Sequence, residues 1–422
     1  MANSIMTQEL AKIILADTKV RVPIVKFLNS ELSSLLDSDS GSQVNVLAPD
    51  FGTVTDGPSI DPNDPSINSI RDRIPVNVTQ SKVVKAFDQL EKALRIGNFD
   101  EAVSTPVSIN LASKINTRVF QTVLAGAKFG IQGTIDFGAL SDAISLVKTS
   151  RVNAQGEDYA GMLSPRLESS IRKTGQNMFA NPRLTDDLYY DGLIGNYAGA
   201  EFIASPDAGI IKYTTALGSC AVTFVGGINA ATQMTLTVPT GVTKIFAGTP
   251  FTVPNVNVCD ILGNDTGVQA VITAGWNPAT ADGSWAVSDG GTATVGISQL
   301  KVKGQVNPMA GVNGQGVAGA TWAVPNVIIN GTAGVNATNS FTVNKSYGMG
   351  VVFAKNSTAF ASRVPGTLGY DSASSNLDNE INVRISRVAE GFRGVEVYRV
   401  DVIYGANTMY GQGACGVWAQ LD

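Results

Sequence analysis

Histidine is absent from all 422 residues, and that absence decides most of the chemistry open to this chain. Without imidazole there is no Ser-His-Asp or Cys-His nucleophile system and no His-ligated metal site. The three cysteines, Cys220, Cys259 and Cys415, are far apart and form no CxxC pair. An odd number prevents a complete disulfide framework within one chain, so reduced structural thiols are expected. Asp186 and Asp187 are adjacent before "LYYDG", but neighbours on an extended segment point apart, which favours a solvated turn over an acid/base pair. "DSDSG" (37–41) and "DPNDP" (61–65) have an acidic spacing that suggests calcium. The first lacks the third acidic ligand and distal Glu of an EF-hand loop, and both read as solvated loops. Two GxGxxG matches occur, "GQGVAG" (314–319) and "GQGACG" (411–416). A dinucleotide site needs a strand before and a helix after, whereas the first runs into "ATWAVPN" and the second lies close to the last residue. No catalytic residue, cofactor or metal is therefore expected.

One constellation remains. Arg71, Arg73, Lys82 and Lys85 flank a stretch carrying Asp56, Asp61, Asp64 and Asp72. Opposite signs along one exposed loop suit contact with another protein better than with nucleic acid. Phe51, Asp61, Asp64, Arg71, Asp72 and Arg73 are the residues expected to touch a neighbouring chain.

The elements around that stretch follow from periodicity. "VPIVKFLNSELSSLL" places Val25, Leu28, Leu32 and Leu35 on one face of a helix over 22–36. "SQVNVLAPDF" and "RIPVNVTQS" read as strands separated by a long connection rich in Pro, Gly and Asp, an exposed excursion rather than a hairpin turn. A helix is predicted over 82–95 from Val83, Phe87, Leu90 and Leu94. The longest helical pattern covers 99–127, with apolar residues every four positions from Val103 to Val123 and Pro106 in its first two turns. Further helices are expected at 137–148 and at "LSPRLESSIRKTG", where Ser164 caps, Pro165 starts and Gly175 ends the helix. From Ile211 to Lys345 only nine residues are charged, and short alternating runs such as "QMTLTVP" and "GVQAVITAG" read as all-β structure.

Whole-chain properties narrow the function. A net charge of −5 lacks the basic footprint of a nucleic-acid reader. The first residues have no signal-peptide pattern, and no run approaches the length of a membrane span. A soluble protein is expected, whose Asn-x-Ser/Thr sequons (Asn77, Asn330, Asn356) reflect composition rather than glycosylation.

The order of elements resembles the major capsid protein fold of tailed bacteriophages, shared by encapsulins and herpesviruses. Within it the chain is similar to the coat-protein family of short-tailed phages that infect Salmonella and relatives. The segments that carry the resemblance are "VNVLAPDFGT", "IPVNVTQSKVVKAFDQLEKAL", "EAVSTPVSINLASKI", "MLSPRLESSIRK" with "DGLIGNYAGAEFIASPD", and "YGMGVVFAKNSTAFASR". It implies an α+β fold with an N-terminal arm (1–44), an extended loop with flanking strands (45–81) and a P-domain part with a spine helix (82–135). The first part of an A domain (136–210), an inserted all-β barrel-like domain (211–345) and a completing A/P segment (346–422) follow. Within "DGLIGNYAGAEFIASPD", Gly192, Gly195 and Gly199 are expected to permit tight turns. The implied function is structural: self-assembly into hexamers and pentamers of an icosahedral virion shell around double-stranded DNA. A procapsid assembled in the host cytoplasm, a scaffolding protein and a portal come with that expectation. The alternatives are an encapsulin-like compartment, a β-rich tail or surface protein and, remotely, a hydrolase.

Overall fold

Pro23 decides where the first helix stops. In the computed structural model the helix runs over Ala2–Arg21, and a 3-10 turn, Pro23–Phe27, follows with Pro near its start. The residue before a proline is pushed out of the helical region, and Val22 has φ −114° and ψ 65°. The buried positions Ala11, Ile14, Leu15 and Thr18 recur at helical spacing. The helix expected over 22–36 is thus corrected at its start: the helical residues precede Pro23. The structure describes residues 2–30, 43–47, 72–88, 99–152, 159–175, 196–308, 311–312, 315–316, 321–363, 371–377, 381–390 and 395–421, so the rest of that range lies outside it.

The chain divides into two compact units. The first comprises Met1–Val44, Pro75–Val119 and Ala359–Asn407. Its frame is a five-stranded sheet built on the long strand Val395–Thr408, which pairs with Ile381–Glu390, Thr79–Asp88 and Thr358–Arg363, with Asp371–Leu377 at the far edge. The strand Thr79–Asp88 takes the place of the first half of the helix expected over 82–95, whose remainder lies outside the described residues. Its register against Val395–Thr408 is continuous from Thr79↔Tyr404 to Asp88↔Val395. Val83 and Val84 are β-branched, and a ten-residue ladder outweighs the spacing of Val83 and Phe87. The helix Ala2–Arg21 lies against Asp371–Leu377 and Ile381–Glu390. Asn116 donates from Nδ2 to the Arg21 carbonyl at 2.9 Å and so satisfies one orphan acceptor at the helix end.

The longest helix is Phe99–Gly126, within one residue of its expected span, with Val107, Leu111, Ile115, Val119 and Val123 buried. The second unit comprises Asn45–Ile74, Phe120–Thr358 and Thr408–Asp422. It contains two seven-stranded sheets. The first runs Phe129–Gly133, Ala414–Gln420, Ser346–Ala354, Tyr159–Leu163, Ala200–Ala204, Asn196–Tyr197, with Ile210–Lys212 also paired to Ser346–Ala354. Two pairs are parallel, Phe129–Gly133 with Ala414–Gln420 and Tyr159–Leu163 with Ala200–Ala204; the others are antiparallel. The helix Phe137–Thr149 packs on this sheet through Phe137, Leu140, Ile144 and Val147, as its pattern predicts. Asp136 caps it by accepting from the Ala139 amide at 2.8 Å, a contact worth ~1 kcal/mol. The helix Pro165–Gly175 begins as expected, with Ser164 accepting from the Leu167 amide.

The second sheet runs Asp265–Thr273, Pro250–Cys259, Asn336–Thr338, Ser219–Phe224, Gln233–Thr237, Thr292–Gly296, with Val327–Ile329 also on Pro250–Cys259. It is antiparallel, and its burial alternates: Cys220 and Val222, Met234 and Leu236, Ala293 and Val295 point inward. Among the described residues of 211–345 the secondary structure is β, as read from the sequence. All three cysteines are free and buried.

In the hairpin joining Asn196–Tyr197 to Ala200–Ala204 the two loop residues, Ala198 and Gly199, have φ +51° and +85°. A two-residue loop with both φ positive matches strand twist, but an alanine there is strained by ~1–2 kcal/mol. Ala198→Asn restores the preferred Asn-Gly pair and is expected to raise the unfolding free energy by about 1 kcal/mol. The check is a higher denaturant midpoint at unchanged slope.

Candidate functional site

Of the residues expected at a chain–chain contact, Phe51, Asp61, Asp64 and Arg71 lie outside the described residues. Arg73 opens the strand Arg73–Asn77, which pairs with Gln43–Leu47; these are the two strands expected on either side of the excursion. Asp72 is the surprise. Expected on an exposed loop, it has no exposed surface at all.

Its carboxylate is enclosed by donors from a single stretch of chain. Asn307 Nδ2 donates to Oδ1 at 2.7 Å, the Ala323 amide to Oδ1 at 3.1 Å and the Val324 amide to Oδ2 at 3.1 Å. Lys301 Nζ stands 3.6 Å from Oδ2, too far for a good hydrogen bond, so the attraction is Coulombic. Lys301 is itself buried, with its ammonium 5.6 Å from the centre of the Trp322 ring. Burial pushes its pKa below the ordinary lysine value, while the Asp72 charge works against that shift. The lysine backbone is fixed by Asn326, whose Oδ1 accepts from the Lys301 amide at 2.8 Å and whose Nδ2 donates to the Gln299 carbonyl at 2.9 Å. Trp322 is held by Nε1–H donation to Asn229 Oδ1 at 2.8 Å.

Two amides and a carboxamide engage three of the roughly four lone-pair directions of the carboxylate, and the Lys301 ammonium stands beside it. What the enclosed carboxylate can do is hold chain. Asp72 is the first described residue after Leu47, so this cage fixes the chain immediately before the strand Arg73–Asn77.

The first unit contains a second buried carboxylate, Asp401. Arg384 Nη2 reaches its Oδ2 at 2.7 Å, Arg399 Nε its Oδ1 at 2.8 Å, and Gln80 Nε2 donates to Oδ1 at 2.9 Å. Asp401 stands directly opposite Arg384 on one neighbouring strand and Lys82 on the other. Cross-strand partners share a face, so three strands are registered by one charge. This too is a structural clamp.

Sequence reading missed Lys301, Asn307, Trp322 and Asn326. "QLKVKG" alternates, which predicts Lys301 and Lys303 outward on a strand, yet Leu300, Lys301 and Val302 are all buried. The available signal was scarcity: a lysine inside an apolar run of a region almost without charge needs a partner. The second GxGxxG match, "GQGACG", forms a 3-10 turn, Gly411–Gly413, and then the strand Ala414–Gln420, not the helix that a phosphate site requires. The motifs at 37–41, 61–65 and 186–187 lie outside the described residues. Among the described residues no group of three or more His, Cys, Asp or Glu could hold a metal ion, and no helix is long and apolar enough to cross a membrane.

No family model matches the sequence, and no curated protein matches it. Among solved structures the chain is similar to one from Mycobacterium phage Che8, at 10% identity and a TM-score of 0.45, covering 93% of this chain and 89% of that one. It is also similar to the capsid of Ralstonia phage GP4, at 7% identity and a TM-score of 0.46 with 90% and 84% covered. A virus-like particle from Pyrococcus furiosus aligns at 9% identity and a TM-score of 0.39, with 98% and 99% covered.

Asp72→Ala is expected to destabilise the chain by ~3–5 kcal/mol, because it leaves the Lys301 ammonium buried without a counter-charge. Asp72→Asn combined with Lys301→Met removes both charges and is expected to recover most of that loss. Denaturant unfolding of the wild type, the single variants and the double variant measures the coupling; additive losses would show that the two side chains do not act as a pair.

Proposed function

We propose that this chain is a structural shell subunit, the major capsid protein of a tailed bacteriophage, which assembles into hexamers and pentamers of an icosahedral shell around double-stranded DNA. The observation that carries the reading is the order of elements. The strands Gln43–Leu47 and Arg73–Asn77 pair although more than twenty residues separate them, a 28-residue helix follows, and two adjacent strands of one mixed sheet are separated in sequence by a β stretch. Tyr159–Leu163 and Ser346–Ala354 are neighbours in one sheet, while most of the described chain between them builds another. That arrangement supports reading 211–345 as an insertion into the core.

In this reading the excursion (roughly 50–74) lies across a neighbouring subunit, and Phe51, Asp61, Asp64, Arg71 and Arg73 contribute to that contact. Asp72 takes a different part: its cage holds the root of the excursion so that the remainder can reach outward. Each contact is individually weak, since a millimolar contact is worth only about −4 kcal/mol, and the shell is strong through the number of contacts made at once. Weak single contacts let misplaced subunits leave. The same subunit must fit five- and six-fold clusters, which places adaptation in loops and arms carried by rigid sheets. A net charge of −5 suits a container that holds DNA without neutralising its phosphates. Expansion of a procapsid, a scaffolding protein and a portal belong to the same proposal.

Electron microscopy of the protein expressed alone, and with its neighbouring genes, tests the reading. Closed shells built of five- and six-fold clusters are expected. Persistent monomers in both preparations would overturn it in favour of a tail or surface component. Shells that enclose a protein cargo and no DNA would favour a compartment. Mature particles are expected to run as single chains on a denaturing gel, without a covalent ladder.

A further inference from the structure

Lys128 immediately precedes the strand Phe129–Gly133, at one edge of the first seven-stranded sheet of the second unit. Asp265–Thr273 is an edge strand of the other seven-stranded sheet. The two edges meet here. The Val271 amide donates to the Lys128 carbonyl at 2.8 Å, and the Lys128 amide donates to the Gly411 carbonyl at 3.0 Å. A Cβ on Gly130 would fall 2.7 Å from Val271 Cγ2, so the absence of a side chain lets the edges approach. Nearby, Trp418 Nε1 donates to the Gly248 carbonyl at 2.8 Å across the same seam.

The Lys128 side chain is completely buried in this seam. Its amine has one polar contact, the Ser298 carbonyl at 3.5 Å, and no carboxylate within ion-pair distance among the described residues. The titratable groups on the surrounding segments do not compensate it. Tyr410, beside Gly411, is pushed up to about 12, mainly by burial, and Cys415 is raised by burial, so both are neutral. Lys301, beyond Ser298, is engaged with Asp72. Asp265 lies at the start of its strand, where it accepts from Asn257, Asn330 and the Gly267 amide. Phe129–Gly133 carries no charge. An ammonium without a counter-ion in such a place is strongly disfavoured, so the amine is buried neutral.

We propose that Lys128 is a proton-responsive pin between the two sheets: the seam is held while its amine is neutral and is weakened towards opening as proton uptake by the amine becomes favourable. Burial alone lowers its pKa to about 7 from the ordinary 10.5. The direction follows from proton counting. An opened seam returns the amine to water, where it binds a proton up to its ordinary value; the closed seam binds one only below about 7. The open state therefore holds more protons between these two values, and closure strengthens as pH rises through that window. Below about 7 both states are protonated, the cost of burial is fully present, and the dependence flattens.

Hydrogen exchange at the Val271 amide reads the seam directly, because its acceptor is the Lys128 carbonyl. After correction for the intrinsic exchange rate, wild-type opening is expected to increase about tenfold for each pH unit lowered from 9 to 7, and to level off below 7. In Lys128→Met, which keeps length without charge, opening is expected to be independent of pH. Equal pH dependence in the two proteins would overturn the proposal. The wild-type profile is a test by itself, since constant opening between pH 9 and 7 would overturn it even if the variant failed to fold.

Discussion

All nine residues of Ser346–Ala354 are buried, and the second unit depends on what that burial demands. A strand covered on both faces cannot be an edge; it must be flanked on each side and roofed above and below. Its long partners, Tyr159–Leu163 and Ala414–Gln420, come from remote parts of the chain, and Ile210–Lys212 joins it where the chain departs for the second sheet. Helix Phe137–Thr149 supplies cover with Phe137, Leu140, Ile144 and Val147. Because the cost of closing a flexible loop grows only logarithmically with its length, a long β stretch can separate two neighbouring strands at little thermodynamic penalty. The sheet must nevertheless await its central strand, which makes its pairing non-local and its folding slow relative to that of the helices.

The second constraint is the scarcity of charge. Where most side chains are small and apolar, each charge that is buried must bring its own partner. Asp72 meets Lys301 and three hydrogen-bond donors, and Asp401 meets Arg384, Arg399 and Gln80. In each case residues far apart in sequence converge, so the clamp sets register. A pair of this kind adds little net stability over an apolar substitute, yet strongly disfavours arrangements that separate the partners. That is a useful property for a chain whose strands are otherwise Thr-, Val- and Ala-rich and could slip against one another.

Legibility in the sequence followed the range of the forces involved. The helices Phe99–Gly126 and Phe137–Thr149 were readable because one continuous apolar stripe specifies each. Ser164 and Pro165 marked the start of Pro165–Gly175 by local backbone chemistry. The strands Ser219–Phe224, Gln233–Thr237 and Thr292–Gly296 showed their alternation openly. Thr79–Asp88 was misread because its conformation is imposed by Val395–Thr408, and nothing within ten residues announces that partner. The first helix stops at Arg21, before the stretch that Leu28, Leu32 and Leu35 mark as helical, because Pro23 is the stronger local signal. Asp72 was read from its acidic neighbours as a solvated side chain, whereas its burial is decided by Lys301 and Asn307, more than two hundred residues away. Pattern reveals elements; it does not reveal which charged side chain will be enclosed by another part of the chain.

Lys301 and Lys128 make the same point about chemistry. Both are lysines buried in the second unit, and burial lowers the pKa of both. Lys301 has a carboxylate at 3.6 Å whose charge opposes that shift. Lys128 has only a carbonyl at 3.5 Å, and its shift carries the amine to about 7. A paired lysine fixes a segment, because leaving its partner strands two charges. An unpaired lysine fixes a segment only while it is neutral, so its grip depends on the solution outside. The same residue type thus serves as a permanent clamp or a conditional one, and what separates them is a single aspartate.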